Sequence, residues 1–210
     1  MKQVGIKRYC HVKNNKVYLD GALIFEDVQN DTMKSFLKSA YRNFKIKYPK
    51  FFKMDEISKL GFLAAEVVLQ NIQKNNIKES EIGIVLANSQ STLVTDKVHQ
   101  ESINDLNNYY PSPSVFVYTL PNIMIGEISI KHKFRGENAF YIFEHFNTEF
   151  VSDFIDMLFT DGKVKACLGG WIDQSEKDYE AFVYWVEHYD NKVFCPEHTG
   201  ALVRKLYEKF

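Results

Sequence analysis

Apolar residues recur at helical spacing in two segments of the first third of the chain. The pattern predicts a helix over residues 31–45, with Asp31 or Thr32 as its N-cap and an apolar face of Met33, Phe36, Leu37, Ala40 and Tyr41. A second helix is predicted after Met54, where the residues on one face are Ile57, Leu60, Ala64, Val67, Val68 and Ile72. Each helix therefore has a face to bury against another layer.

Short apolar runs before and after these two segments predict strands. "VGIKRYCHV" and "KVYLDGALIF" form a β-rich start, joined through the turn-forming "KNNK". "IGIVLAN" shows little polar alternation, which is typical of a strand covered by helices on both faces. Three further strands are predicted: "NAFYIF", then "KVKACLGG", which closes on two glycines, and "EAFVYWVEH".

Further helices alternate with these strands. We predict a polar helix in "DKVHQESINDLNNYY", a helix from Asn122 to about His132, and a terminal helix in "GALVRKLYEKF". Another spans about Thr148 to Thr160, with Thr148 as cap and a buried face of Phe150, Phe154, Met157 and Leu158. The alternation predicts an α/β fold, a layered sheet with helices on both faces, in one domain over residues 1–210.

Composition and charge narrow the functional classes. The chain is 45% hydrophobic with a formal net charge of −1, which indicates a packed globule without a field that would recruit nucleic acid or a membrane. Its start, "MKQVGIKRYC", has no apolar signal core, and no apolar run is long enough to span a bilayer. Three widely spaced cysteines imply no disulfide framework. We expect a cytoplasmic protein.

The corner that follows "NAFYIF" carries the first candidate for chemistry. His145, flanked by Glu144 and Asn147, lies where a strand ends and a helix begins, a place that suits a general base. A partly buried histidine satisfied by a neighbour is the simpler interpretation. No serine or cysteine beside His145 offers a nucleophile for it to activate.

Other candidates favour structural roles. His188, Cys195 and His198 offer three zinc ligands, but they lack a second pair at zinc-site spacing, so we expect a surface turn and no metal. Cys167, inside an apolar strand, is typical of an inert buried thiol. Gly169 and Gly170 lack a phosphate-binding motif around them, and we expect no cofactor.

A basic stretch interleaved with aromatic residues follows the first helix. In "RNFKIKYPKFFK" the cations are Arg42, Lys45, Lys47, Lys50 and Lys53. We interpret the stretch as a solvated face with its aromatic side chains turned inward. If it binds a partner, an acidic protein suits this nearly neutral chain better than nucleic acid.

Four ordered segments between residues 50 and 187 resemble the N-terminal half of the β-ketoacyl synthases, which have the thiolase fold. "KFFKMDEISKLGFLAAEVVL" resembles a helix of that family and "EIGIVLANSQST" a strand. "PSPSVFVYTLPNIMIGEISIKHKFRGE" places Asn122, Gly126 and Gly136 in register with it, and "DGKVKACLGGWID" is similar to a later strand. The resemblance implies one half of the thiolase-like fold, with one antiparallel strand. Residues 1–45 are divergent.

The chain departs from the family at the residues that carry catalysis. The family places its nucleophilic cysteine nine residues after the glycine that matches Gly136, and here that position is His145. The family's catalytic histidines and glycine-rich loop belong to its C-terminal half, and the 210 residues contain no matching segments. The resemblance therefore implies no catalytic residue here, and a non-catalytic subunit like the short chain-length-factor-like partners of ketosynthases in fatty-acid or polyketide (aryl-polyene or flexirubin-type) pathways.

The resemblance also implies partners. In the family the strand before the nucleophile pairs across a two-fold axis, so we expect a dimer with a ketosynthase or with itself. The expected residues of this interface and acyl pocket are Asn122, Phe140, Tyr141, Ile142, Phe143, His145 and Phe146. An acyl carrier protein would dock on Arg42, Lys45, Lys47 and Lys50. Two alternatives stay open: an enzyme with altered acyl-thioester chemistry that uses His145 or a histidine of 188–198, and a scaffold that binds a carrier protein.

Overall fold

The computed structural model describes residues 3–29, 32–73, 77–105, 107, 109–189 and 195–210. Within these ranges seven strands form one mixed sheet. They are β1 (Gln3–Lys13), β2 (Lys16–Leu19), β3 (Ala22–Glu26), β4 (Ile82–Asn88), β5 (Asn138–Ile142), β6 (Ala166–Gln174) and β7 (Tyr179–Tyr189). Their order is β3-β2-β1-β7-β6-β4-β5.

The directions of the strands correct one expectation. β4 runs parallel to β5 and β6, whereas β7 is antiparallel to β6 and to β1. β2 is antiparallel to both β1 and β3. Two strands, β2 and β7, therefore oppose the others, where the resemblance implied one. The second arises because the divergent first residues add a hairpin beyond β1.

Two-residue turns build that hairpin. Asn14 and Asn15 connect β1 to β2 with φ values of 51° and 57°, and Asp20 and Gly21 connect β2 to β3 with 52° and 88°. Two successive positive φ values are those of the type I′ turn that tight hairpins favour, and asparagine, aspartate and glycine tolerate them best. The predicted turn at "KNNK" is confirmed.

Helices cover both faces of the sheet, as predicted. The seven described helices are α1 (Met33–Asn43), α2 (Glu56–Leu69), α3 (Leu93–Glu101), α4 (Pro113–Val117), α5 (Ile123–His132), α6 (Thr148–Thr160) and α7 (Gly200–Tyr207). The buried side chains of α1, α2 and α5 pack on one face of the sheet, and those of α6 and α7 pack on the other.

Strand β4, which lies next to the edge strand β5, shows why the sheet needs both layers. All seven of its residues are buried. Ile84 and Leu86 pack with the α1, α2 and α5 layer, and Val85 and Ala87 pack with the α6 and α7 layer. The apolar run without alternation therefore predicted the burial of this strand correctly.

Two local predictions are corrected by the structure, and one of the two N-caps predicted for α1 is confirmed. The polar helix of "DKVHQESINDLNNYY" ends at Glu101, well short of its predicted extent. β6 runs on to Gln174, so Gly169 and Gly170 lie inside the strand. A Cβ at Gly170 would lie 2.4 Å from the carbonyl oxygen of Phe182 on β7, so this glycine permits close strand packing. Thr32 caps α1, accepting a hydrogen bond from Ser35 N at 3.2 Å, while Asp31 lies outside the described residues.

The described helices are short relative to the thickness of a bilayer. None of them has the length and apolar character needed to cross one.

Candidate functional site

β5 is an edge strand whose outer side is open. Within the described residues it pairs with β4 on one side and with no strand on the other. Ile84 N donates to Glu137 O at 3.0 Å, and Phe143 N donates to Asn88 O at 2.9 Å. Successive amides of a strand point to opposite sides, so the amides of Phe140 and Ile142 point away from β4 toward the open edge.

Aromatic side chains of β5 and its corner contact α6 beside this edge. The ring of Tyr141 lies 4.9 Å from that of Phe150 and 5.4 Å from that of Phe154, between centroids. Phe143 lies 5.1 Å from Phe150. Phe140 belongs to the opposite face of the sheet, where it packs against the α1, α2 and α5 layer.

α6 presents a second apolar stripe that the sheet covers only in part. Its buried face is formed by Val151, Ile155, Leu158 and Phe159, together with Thr148 and Ser152. Phe150 and Met157 are instead 39% and 46% exposed, so of the face predicted from the sequence only Leu158 is fully buried. Phe154 is half-buried. We call the partly exposed group beside the open edge the edge patch: Tyr141, Ile142, Phe143, Phe150, Phe154 and Met157.

The turn between β5 and α6 is closed by Asn147. Its side-chain oxygen accepts a hydrogen bond from Phe150 N at 3.1 Å, so Asn147 is the N-cap. The prediction of Thr148 as the cap is therefore wrong. The Thr148 hydroxyl donates to Glu149 at 2.9 Å. Glu149 in the first turn also contacts Arg204 of α7 at 2.6 Å, and these contacts lower the pKa of its carboxyl.

His145 projects from this corner into solvent. Its side chain is 88% exposed and its Nε2 lies 3.9 Å from the equally exposed Glu144. The expected burial of this histidine is therefore wrong. Phe146, next in the chain, turns inward and stacks on Trp171 at 5.6 Å, with the ring of Tyr207 at 5.2 Å.

A cavity of about 360 Å³ lies beside the corner. Its lining is rich in carboxylates and contains no serine or cysteine: Glu144, His145, Phe146, Thr148, Trp171, Asp173, Glu180, Arg204, Tyr207 and Glu208. Glu180 is held by Lys13 at 3.1 Å and by the Tyr207 hydroxyl. Its burial favours protonation, but its contacts with His11, Tyr207 and Lys13 outweigh this and lower its pKa to about 2. The arrangement supplies fixed negative charge and an exposed imidazole, without a serine or cysteine nucleophile.

The three cysteines of the chain lie elsewhere. Cys10, Cys167 and Cys195 are all free and buried. Burial raises the pKa of each thiol, most strongly for Cys10 and Cys167. Since the thiolate is the reactive form, none of these side chains is activated as a nucleophile.

His188, Cys195 and His198 are not arranged as a metal centre. Among the described residues no group of histidine, cysteine and carboxylate side chains could hold an ion. His198 is fully buried, with Nδ1 2.7 Å from an Asp156 carboxylate oxygen, and the Cys195 thiol faces the Ile6 carbonyl at 3.4 Å. The expected surface turn is therefore wrong at residues 195 and 198, because this segment packs against β1.

The basic stretch is largely the solvated face that the sequence indicated. Phe51 is buried, whereas Phe52 stays exposed. Lys50 makes an ion pair with the buried Glu127 at 2.7 Å, so it is partly engaged within the chain. The remaining predicted docking cations, Arg42, Lys45 and Lys47, are exposed. Carrier-protein docking stays a prediction.

Asn122 precedes the first residue of α5. It is exposed, its carbonyl accepts a hydrogen bond from Gly126 N at 3.1 Å, and its side chain makes no capping hydrogen bond. Its expected role at an interface also stays a prediction.

Together, the mixed sheet between two helical layers and its open edge strand define an α/β fold. No family model and no curated protein matches the sequence. Solved structures of ketosynthase and chain-length-factor assemblies do match it.

The similarity to these structures lies in the fold. The ishigamide ketosynthase/chain length factor matches with a TM-score of 0.64 at 12% identity, over 93% of this chain and 64% of that one. The AntDE:AntF complex, a type II polyketide acyl-carrier protein with its ketosynthase, matches with a TM-score of 0.61 at 13% identity, over 90% and 63%. The ketosynthase ApeO in complex with its chain length factor ApeC from Xenorhabdus doucetiae matches with a TM-score of 0.58 at 9% identity, over 99% and 91%.

The chain spans less than two thirds of the first two matched chains and most of the third. It has the thiolase-like fold of ketosynthases and chain length factors, as the sequence resemblance implied.

Proposed function

We propose that this chain is a non-catalytic, chain-length-factor-type subunit that pairs with a ketosynthase in a fatty-acid or polyketide pathway. An aryl-polyene or flexirubin-like pathway is the finer form of this proposal. The observation that carries it is the open edge of β5 with the edge patch beside it. Open strand edges and clustered exposed apolar side chains mark surfaces that associate.

The open edge of β5 sets the relative direction of the two strands in such a pair and offers apolar side chains for contact. Two equivalent edge strands related by a two-fold axis normal to the sheet pair antiparallel, and the outward amides of Phe140 and Ile142 are free for that ladder. Ile142 is 48% exposed and would be covered by the partner strand. The stripe of Phe150, Phe154 and Met157 would pack against the equivalent helix of the partner.

The corner is suited to shaping a partner's acyl pocket without taking part in chemistry. The rings of Trp171 and Tyr207 contact Phe146, and these contacts anchor the turn that carries His145 to the body of the molecule. Phe143 and Ile142 would face the partner at the same corner. In this proposal Asn122, Phe140, Tyr141 and His145 complete the interface.

An acyl carrier protein is the second proposed partner. Lys45 and Lys47 border a shallow groove of about 250 Å³ that Lys131 also lines. The Lys131 ammonium donates to the Lys47 carbonyl at 2.8 Å, which holds the two basic segments together. Exposed cations gathered in this way favour an acidic protein surface.

Association can be tested by purifying the chain alone and after co-expression with ketosynthases encoded near its gene. Size-exclusion chromatography with light scattering would give the mass of each complex, and we expect a dimer. Phe150→Glu places a charge in the edge patch and is expected to abolish it. Phe52→Glu, on a comparably exposed phenylalanine of the basic stretch, is the matched control and should leave the dimer intact. A wild-type chain that is monomeric in every combination would overturn the proposal.

A further inference from the structure

A cavity of about 470 Å³ lies on the α1, α2 and α5 side of the molecule, where α1, α2, α3 and α4 approach one another. This volume falls within the range of about 300–1,000 Å³ that small-molecule sites occupy. Its walls combine apolar side chains with several charges: Lys34, Lys53, Met54, Asp55, Glu56, Lys59, Val94, Thr95, Val98, Ser114, Val115, Tyr118 and Gln174. Neither the open edge nor the corner contributes to it.

Lys59 is the unusual member of this lining. It is only 6% exposed, and no hydrogen bond or ion pair of its ammonium group occurs among the residues that the structure describes. Burial lowers the pKa of Lys59, and the nearby charges of Lys34 and Lys38 act in the same direction, whereas the carboxylates of Glu56 and Asp55 raise it. These two carboxylates therefore offset part of the cost of holding the ammonium group away from water.

The carboxylates of the cavity are engaged with other groups. Asp55 caps α2, accepting from Ser58 N at 3.1 Å, and it accepts the Thr95 hydroxyl at 2.6 Å. Burial raises the pKa of Asp55, while its hydrogen bonds with Ser58 and Thr95 and the charge of Lys59 oppose this shift. Glu56 lies 3.5 Å from the side-chain nitrogen of Gln174. With Lys34, Lys53 and Lys59 against Asp55 and Glu56, three cations face two anions, so the lining carries a formal charge of +1.

The apolar part of the wall faces this charge. Met54, Val94, Val98 and Val115 come from the start of α2, from α3 and from α4, and together they form a hydrophobic side. A ligand that satisfies both sides needs one acceptor-rich anionic group for the ammonium and an apolar tail for the valines and methionine.

We propose that this cavity binds a small carboxylate with an apolar tail, whose carboxylate accepts hydrogen bonds from Lys59 while its tail lies against Met54, Val94, Val98 and Val115. Binding supplies the acceptor that Lys59 lacks and removes apolar surface from water on both partners. The proposal does not depend on a ketosynthase partner, since every lining residue belongs to this chain.

Octanoate serves as the test ligand, titrated calorimetrically into the full-length chain. We expect one saturable site, with neither acetate, which lacks the tail, nor octan-1-ol, which lacks the charge, binding comparably. Lys59→Met keeps most of the side-chain volume and removes the charge, and should weaken octanoate binding about 10- to 100-fold. Lys38→Met, which removes a neighbouring lysine outside the cavity lining, is the matched control and should bind normally.

Folding of the variant can be followed independently. Because Lys59 is little exposed and makes no hydrogen bond or ion pair with the residues that the structure describes, Lys59→Met should melt within a few degrees of the wild type, so lost binding would not reflect unfolding. The proposal is overturned if octanoate does not bind the wild type at millimolar concentrations, or if Lys59→Met binds it with unchanged affinity. Neither result would bear on dimerisation, which is measured separately.

Discussion

The amide of Phe143 donates to the carbonyl of Asn88 at 2.9 Å, and this bond fixes the direction of the amide before it, which belongs to Ile142. That amide faces the open edge of β5. Proline is tolerated in an edge strand where the missing donor faces outward. Ile142→Pro should therefore change the free energy of unfolding of the isolated chain by only about 1 kcal/mol or less.

The same substitution should weaken association at least about tenfold, because it removes an outward donor and places a ring against the partner strand. Light scattering across a dilution series would measure this. Ile24→Pro is the control, since Ile24 is the extra residue of the bulge in β3 at the opposite edge of the sheet. Equal association of wild type and Ile142→Pro would exclude β5 as the pairing strand.

Incubating the purified chain with an acyl thioester should leave its intact mass unchanged. The three thiols are buried with raised pKa values, and His145 has no nucleophile beside it. A stable acyl adduct on any residue would contradict the non-catalytic proposal. If that adduct were lost in His145→Ala, the histidine itself would be the acylated group, and the alternative of altered acyl-thioester chemistry would be favoured.

Asn147→Ala should destabilise the chain by about 1 kcal/mol, because the first turn of α6 loses the oxygen that accepts from Phe150 N. Asn147→Asp retains that acceptor and adds a negative charge at a helix N-terminus, so its stability should match or exceed that of the wild type. Chemical denaturation of the three proteins would compare them. Equal stability of Asn147→Ala and wild type would show that the cap contributes little.

Glu180 should make the free energy of unfolding depend on pH in the acid range. Its folded pKa of about 2 lies below its ordinary value of 4.5, so the stabilisation is complete above about pH 5 and is lost as the pH falls toward 2. Glu180→Gln should cost about 1–2 kcal/mol near neutral pH, after allowance for solvent screening, and nothing at the acid end. Denaturation curves across this range would test it, and a pH-independent difference would contradict the assignment.

Features set by local periodicity could be predicted from the sequence. The apolar run of β4 predicted a strand buried on both faces, and the paired asparagines at 14 and 15 predicted the tight turn, because each depends on a few adjacent residues. The open edge of β5 depends on strand order, which is decided by pairing between distant parts of the chain. This edge was therefore predicted only from the family resemblance.

Helix α6 shows where periodicity fails. Its sequence offers two adjacent apolar stripes, one through Val151 and Ile155 and the other through Phe150 and Phe154, and a single chain buries only the first. Hydrophobicity alone cannot rank the two stripes, and the prediction favoured the stripe with the larger aromatic residues, which is the wrong one. The predicted surface position of His198 was wrong for a different reason. Its segment pairs with β1, where Ile6 N donates to Pro196 O at 2.9 Å, a contact between distant parts of the chain.

The two ends of the sheet are unlike. Each edge strand is five residues long, but β3 is interrupted by a bulge and is the last strand of a hairpin, whereas β5 is regular and lies beside the edge patch. Bulged edges resist further strand addition. In the proposed two-fold pairing through β5, the open edges of both molecules would be covered and only their bulged edges would stay outside. The sheet would then have fourteen strands, twice the seven described in one chain, and the pair would close instead of growing into a fibre.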